Sequence, residues 1–297
     1  MNLLGKYING NYITSIYDTG TKIRETKDNE FIPSFAESMD IKLSNYCDAQ
    51  CKFCHEGSTI YGKHGDILNQ KFIETLHPYQ EVALGGGDVT SHPDLIPFLY
   101  KLKEQRVISN ITVNQKHFEE KQDFIKELVD KKLIYGLGVS LVNPSDKFIS
   151  LVKQYSNAVI HVINGILKFS DIELLSNKDL KILVLGYKQL RRGIECYAKN
   201  YKNIIYNQIW LKKNIQNLFS QFSVVSFDNL AIEQLEVQQL MTKKEWNEFY
   251  MGDDAEFTYY IDMVEKKFAK NSTALLNERY DLLDSVDDMF EKIRKKK

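Results

Sequence analysis

Three cysteines lie within eight residues, at Cys47, Cys51 and Cys54, and only one other, Cys196, occurs in the 297-residue chain. A disulfide framework calls for even, dispersed cysteines and a secreted chain, so three close thiols read as a metal site in a reducing compartment. Their spacing is C-x3-C-x2-C. Zinc normally takes four Cys or His ligands; His55 and His64 are near, but the spacing fits no common zinc pattern. An iron–sulfur cluster also commonly takes four thiolates. Three thiolates on a four-iron cube would leave one iron open, and an open metal position marks a chemical site rather than a structural one.

A second group follows at the end of an apolar run, Gly85-Gly86-Gly87-Asp88, continuing to His92-Pro93. Glycines let a backbone approach a ligand closely, and a carboxylate accepts hydrogen bonds from an ammonium group. His92-Pro93 reads as the start of a helix. The two motifs together resemble the signature of the radical S-adenosylmethionine (radical SAM) superfamily, over about residues 37–190. In that family the three cysteines hold a [4Fe–4S] cluster whose open iron chelates the methionine part of SAM. Phe53 stands at the family's aromatic position, near the adenine. Gly86, Gly87 and Asp88 stand where the family has Gly-Gly-Glu, with an acid one methylene shorter. The resemblance further suggests Asn114, Ser140, Asn164 and Leu185 as SAM contacts; read by themselves, Asn114 and Asn164 are equally well strand-end turn residues.

What the resemblance implies is a one-electron cleavage of SAM, with a reductant such as flavodoxin or ferredoxin. The resulting 5′-deoxyadenosyl radical abstracts hydrogen from a small-molecule or peptide substrate, in oxygen-sensitive chemistry. An activase that installs a glycyl radical on a partner enzyme is a second reading. A structural or redox-sensing metal-binding protein is the non-enzymatic one.

Such residues need a scaffold that brings loop ends together. Short apolar runs at 39–44, 80–85, 107–113, 134–141, 157–163 and 180–185 read as strands covered on both faces. Helical patterns lie between them, near 67–77, 93–105, 117–131, 144–155 and 170–177. Strand-helix alternation implies parallel strands joined by right-handed crossovers, with ligands at their carboxyl ends. The fold expected is α/β, and the resemblance makes it a partial (β/α)6 barrel. An N-terminal β-meander over 1–36 is signalled by Asn9-Gly10 and Thr19-Gly20. The core is assigned to 37–227, and a mainly helical extension over 228–297 is placed to close the substrate cavity. Within these regions a long helix is expected near 189–218, a strand at 221–227, a helix at 242–251, a hairpin over 256–268 and an amphipathic helix over 276–297.

Composition narrows the partners. Lys and Arg number 39 against 40 Asp and Glu, a balance that counts against bulk nucleic-acid binding. No run approaches the roughly 18 apolar residues of a membrane span, and the opening residues have no signal-peptide pattern, so a cytoplasmic protein without a membrane partner is expected. Arg191-Arg192 reads as a solvated pair or as a grip on an anionic substrate group. Cys196 reads as a buried structural thiol, and Lys295-Lys296-Lys297 as a solvated helix end.

Overall fold

The computed structural model describes residues 1–295; Lys296 and Lys297 of the expected lysine end lie outside the described residues. A ten-stranded sheet forms the body, with a separate three-stranded antiparallel sheet of β1 (Leu3–Asn9), β2 (Tyr12–Tyr17) and β3 (Lys22–Thr26). The tight turn at Gly10, φ +58, joins β1 to β2, as Asn-Gly chemistry suggests. The main sheet starts with β4 (Ser38–Ser44) and β5 (Glu81–Gly86). Then α1 (Leu95–Glu104), β6 (Ile108–Asn114), α2 (Gln115–Glu120), α3 (Gln122–Asp130) and β7 (Gly136–Ser140) follow. They lead to α4 (Asp146–Val152), β8 (Ala158–Ile163), α5 (Phe169–Leu175), β9 (Lys181–Leu185), α6 (Arg192–Gln221) and β10 (Val224–Phe227). The chain ends with α7 (Asn229–Leu235), α8 (Lys243–Phe249), β11 (Thr258–Asp262), β12 (Lys267–Ala269), β13 (Tyr280–Asp281) and α9 (Val286–Arg294).

The strand order is β10-β9-β8-β7-β6-β5-β4-β11-β12-β13. The strands from β4 to β11 run parallel, because β11 adds to the free edge of β4 in parallel register, Ile261 opposite Ile41. The C-terminal segment is therefore built into the main sheet. Sequential order with right-handed crossovers puts the helices on one face. Alternation of side chains shows it: Val82, Leu84, Ile111, Val113, Leu137, Val139, Ile160 and Ile182 are buried in the core against the helices. Their neighbours Ala83, Asn110, Thr112, Gly136, Ser140, His161 and Leu183 point to the other face and are only half-buried.

Two predicted helices fall short. The 67–77 segment forms only a 3-10 turn at Lys71–Thr75, ahead of Pro78. The 276–297 helix begins at Val286, capped by the Ser285 hydroxyl, because Tyr280 is drawn into a strand against Phe268. The N-terminal sheet docks on the amino ends of the main strands. Lys22 and Arg24 pair with buried Glu37, just before β4; Lys22 also pairs with Glu81 at the start of β5. Asn157, just before β8, donates to the Asp18 carbonyl at 2.6 Å. No helix among the described residues is long and apolar enough to cross a membrane.

Candidate active site

Cys47, Cys51 and Cys54 sit on the loop leaving β4, at the carboxyl end of the sheet, and all three are half-buried with free thiols. The loop doubles back on itself. Cys47 N donates to the Thr59 carbonyl at 2.9 Å, Thr59 N to the Asn45 carbonyl at 3.0 Å, and Asn45 N to the Lys63 carbonyl at 2.8 Å. Residues 55–66 are thus the return arm of the cysteine loop.

Long-range side chains fasten this arm. Arg192, at the start of α6, donates from Nε to the Cys51 carbonyl at 3.0 Å and from Nη1 to the Ser58 carbonyl at 2.8 Å. Arg191 reaches the His55 carbonyl at 3.0 Å. The arginine pair read as solvated or anion-binding is a clamp on the cysteine loop. On the other side, Asp48 pairs with His117 Nε2 at 2.6 Å and Lys116 at 2.8 Å. Those bonds, with His117's first, hold the Asp48 carboxyl down to about 2. Below the loop, Glu56 meets Lys42 of β4 at 2.8 Å, and Lys42 meets Asp262 of β11 at 3.0 Å. Arg279 lies 3.4 Å from Asp262. No sequence signal marks these pairs, since the partners are far apart in the chain.

The thiols sense one another. Burial raises the Cys51 thiol, and Cys54 and Cys47 raise it further, while an N–H from Asn114 at 3.3 Å lowers it. Burial likewise raises Cys47. Such crowding is relieved when a cation binds, because metal ligation takes the thiolate form. Among the described residues, no three His, Cys, Asp or Glu side chains are gathered closely enough to grip a single metal ion. The donor set of three mutually felt, half-buried thiols fits a larger cationic group such as an iron–sulfur cube.

Asn114 caps α2 through its Oδ1 and turns its amide to Cys51. Gly86 has φ +111, and a side chain on Gly87 would run into the Tyr46 carbonyl. Gly87 N and Asp88 N donate to the Ser44 and Tyr46 carbonyls at 2.7 and 2.6 Å. In this structure the glycines bring β5 against the root of the cysteine loop. Asp88 is buried and held by Lys121 at 2.9 Å and Thr90. Its Oδ1 is 3.6 Å from His117 Nδ1, which has no hydrogen-bond partner. Asn164 is buried, donating to Gln234 at 3.0 Å, and its backbone N–H takes the Leu185 carbonyl at 2.8 Å. Ser140 is half-buried at the end of β7, beside His161 in register.

A cavity of about 880 Å³ opens beside the loop, lined by Cys51, Phe53, Asn114, Gly165, Cys196 and Asn200 among others. Its size falls within the roughly 300–1,000 Å³ of small-molecule sites. Phe53, Asn114 and two of the four cysteines meet there; Gly86, Gly87, Asp88, Ser140, Asn164 and Leu185 are not in its lining.

No protein-family model matches this chain, and no curated protein does. Solved structures do. SuiB of Streptococcus suis bound to the precursor peptide SuiA superposes with a TM-score of 0.55 at 17% identity, covering 80% of this chain and 60% of SuiB. SuiB bound to S-adenosylmethionine gives 0.54 at 16% identity, covering 87% and 64%. The chain thus spans under two thirds of the SuiB length. Its mixed α/β fold with a large parallel sheet is similar to that of SuiB, a radical SAM enzyme.

Proposed function

We propose that this protein is a radical SAM enzyme that acts on a peptide. The observation that carries the reading is the clamped loop of three half-buried thiols at the carboxyl end of the parallel strands, opening on the 880 Å³ cavity. Supporting it are the fold of SuiB and the ligands named with SuiB, S-adenosylmethionine and a precursor peptide. The partial-barrel reading draws support from side chains that span from β9 and β10 to the C-terminal strands. Asn229 Nδ2 donates to Asp254 at 2.8 Å, and Lys188 to Ser272 at 3.1 Å.

Cys47, Cys51 and Cys54 would hold a [4Fe–4S] cluster, and SAM would lie in the cavity beside Phe53 and Asn114. Gly86, Gly87, Asp88, Ser140, Asn164 and Leu185 remain the further contacts proposed for it. When bound, the pair supplies a carbon radical after one-electron reduction, and that organic chemistry belongs to the cofactor. The protein's part is positional. Arg192 and Asp48 hold the loop at its two sides, Asn114 donates to the Cys51 sulfur, and the N-terminal sheet covers the amino ends of the strands. The Asp88 carboxylate would release Lys121 to accept the ammonium of SAM.

The test is anaerobic reconstitution with iron and sulfide, then SAM and dithionite, reading 5′-deoxyadenosine by mass spectrometry beside Cys51→Ala. Nucleoside formed only by the intact protein supports the proposal. A Cys51→Ala protein that cleaves SAM at the same rate, or an intact protein that neither holds iron nor binds SAM, overturns it.

A further inference from the structure

Two carboxylates flank one buried imidazole between the cysteine loop and the end of β5. His117 lies on α2, and its side chain is only 2% exposed. Its Nε2 meets Asp48 Oδ1 at 2.6 Å, and Asp48 is the residue after Cys47. A carboxylate accepts, so Nε2 carries the hydrogen of that bond and the neutral ring keeps its lone pair on Nδ1. On that side stands Asp88, whose Oδ1 is 3.6 Å from Nδ1, beyond hydrogen-bond reach. Among the described residues, Nδ1 of His117 is the one buried histidine nitrogen without a hydrogen-bond partner. A buried polar atom left without a partner costs stability, and its retention calls for a functional reason.

The surroundings prepare this nitrogen to take up a proton. Asp48 fixes the orientation and tautomer of the ring, as the carboxylate does in an Asp-His pair that works as a base. A proton placed on Nδ1 lies between Asp48 and Asp88, whose negative charges attract it. In both carboxylates a lysine holds the other oxygen: Lys116 donates to Asp48 Oδ2 at 2.8 Å and Lys121 to Asp88 Oδ2 at 2.9 Å. Asp88 Oδ1 also accepts from Thr90 N at 3.0 Å. The neighbouring histidines are engaged elsewhere. His92 uses both ring nitrogens, on the Gly65 carbonyl and the Asp94 N–H, and His64 is bonded to Ser44 Oγ at 3.0 Å.

We infer that His117 is the acceptor of the proton that the amino group of SAM gives up on binding. This role rests on the proposed function, in which Asp88 receives the ammonium and the methionine part reaches the open iron. An ammonium has no lone pair, so its nitrogen must lose a proton before it can serve as a metal ligand. Asp88 is the group in contact with the ammonium, and His117 acts through it. One N–H bond breaks at the ammonium and one forms at His117 Nδ1, with the Asp88 carboxyl passing the proton between them. No electron moves, and the positive charge passes from the ammonium to the imidazolium. Closing the gap from Nδ1 to Asp88 to about 2.7–2.9 Å, the length of a charge-assisted hydrogen bond, completes the path. An imidazole is by type a better match than a carboxylate for a proton from an α-amino group, so Asp88 is returned to its charged form.

The experiment follows the proton. SAM is titrated anaerobically into the iron-loaded full chain at pH 7, below the usual α-amino value of about 7.7–8.0. Calorimetry in two buffers of different ionisation enthalpy then reads the protons released per SAM bound. The intact protein should release almost none. His117→Gln keeps a nitrogen donor toward Asp48 and lacks Nδ1, and it should release about one. A second reading needs no variant: infrared difference spectra of the intact protein with isotope-labelled histidine rings should show one imidazole become imidazolium when SAM is added. A proton released by the intact protein, the same proton count in His117→Gln, or no histidine band overturns the inference. A protein that holds no iron or binds no SAM sinks the radical SAM reading and this role with it. One that does both and fails these readings loses only the role of His117.

Discussion

Replacing Arg192 by alanine removes two hydrogen bonds at once. Its half-buried guanidinium holds the Cys51 carbonyl at 3.0 Å and the Ser58 carbonyl at 2.8 Å, on the two arms of the cysteine loop. A hydrogen bond to a charged group is worth about 1.5–3 kcal/mol, so the pair sums to about 3–6 kcal/mol. The loop is only half-buried, and water can replace part of each bond, which brings the expected loss to about 2–4 kcal/mol. That loss falls on the loop rather than on the core, because Arg192 touches neither β6 nor β7 through a hydrogen bond. The expected outcome of Arg192→Ala is therefore a native-like circular dichroism spectrum with iron content after anaerobic reconstitution well under half that of the unaltered protein. Arg192→Lys, which can reach one carbonyl, should fall between. Full iron loading with an unfolding midpoint matching the unaltered protein would refute the clamp.

Three more outcomes follow from contacts in the structure. Gly87→Ala drives a methyl into the Tyr46 carbonyl; overpacking of this kind costs about 1–3 kcal/mol, read as a lower urea midpoint, and an unchanged midpoint would show that the loop root yields freely. Glu37→Gln breaks a buried group of Lys22, Arg24 and Glu37 and should cost about 3–5 kcal/mol. Burial opposes the Glu37 charge, but Lys22 and Arg24 outweigh it and hold the carboxyl below its usual range. The native state then binds fewer protons than the unfolded one. This stability is full above the unfolded pKa of roughly 4.3 and fades as pH falls through the lower native value; urea titrations from pH 6 to 3 should show a shallower loss in Glu37→Gln. Cys196→Ser should reconstitute with unchanged iron, since Cys196 is buried on α6 with Asn200 at its sulfur; a fall in iron would make Cys196 a ligand.

How much of this was legible in the sequence depends on how far the deciding contact lies along the chain. The strands at 39–44, 80–85, 107–113, 157–163 and 180–185 are each found within a residue or so of their apolar runs, because a short apolar run is a local signal; the expected cover on both faces is not met, since only alternate side chains are fully buried. The three thiols are adjacent in sequence, and their meeting needs only a loop. The segment 276–285 has helical periodicity, but only Leu276–Glu278 make a 3-10 turn, and Tyr280 and Asp281 pair with β12, a choice made by distant neighbours. The place of β11 beside β4 is set by a partner about 220 residues away, as Lys42 and Asp262 are. Arg192 finds its carbonyls 141 and 134 residues away, and backbone acceptors leave no mark in a sequence. Gly86 and Gly87 were readable as a close approach; that the approached group is the loop root at Ser44 and Tyr46 was not.

The same long-range contacts explain why the cysteine loop and the C-terminal strands form one unit. Lys42 is buried, and a buried ammonium is tolerated only when paired. It has two carboxylates, Glu56 from the return arm of the loop and Asp262 from β11. Burial works against the Glu56 charge, but His55 and Lys42 hold its carboxyl well below the ordinary range. Asp262 in turn faces Arg279 from the turn before β13. Removing β11 would strip Lys42 of one partner and leave β4 as an unpaired edge. The order of the thiols is thus tied, through Glu56 and Lys42, to strands contributed more than 200 residues later, and the segment that completes the sheet also steadies the loop proposed to hold the cluster.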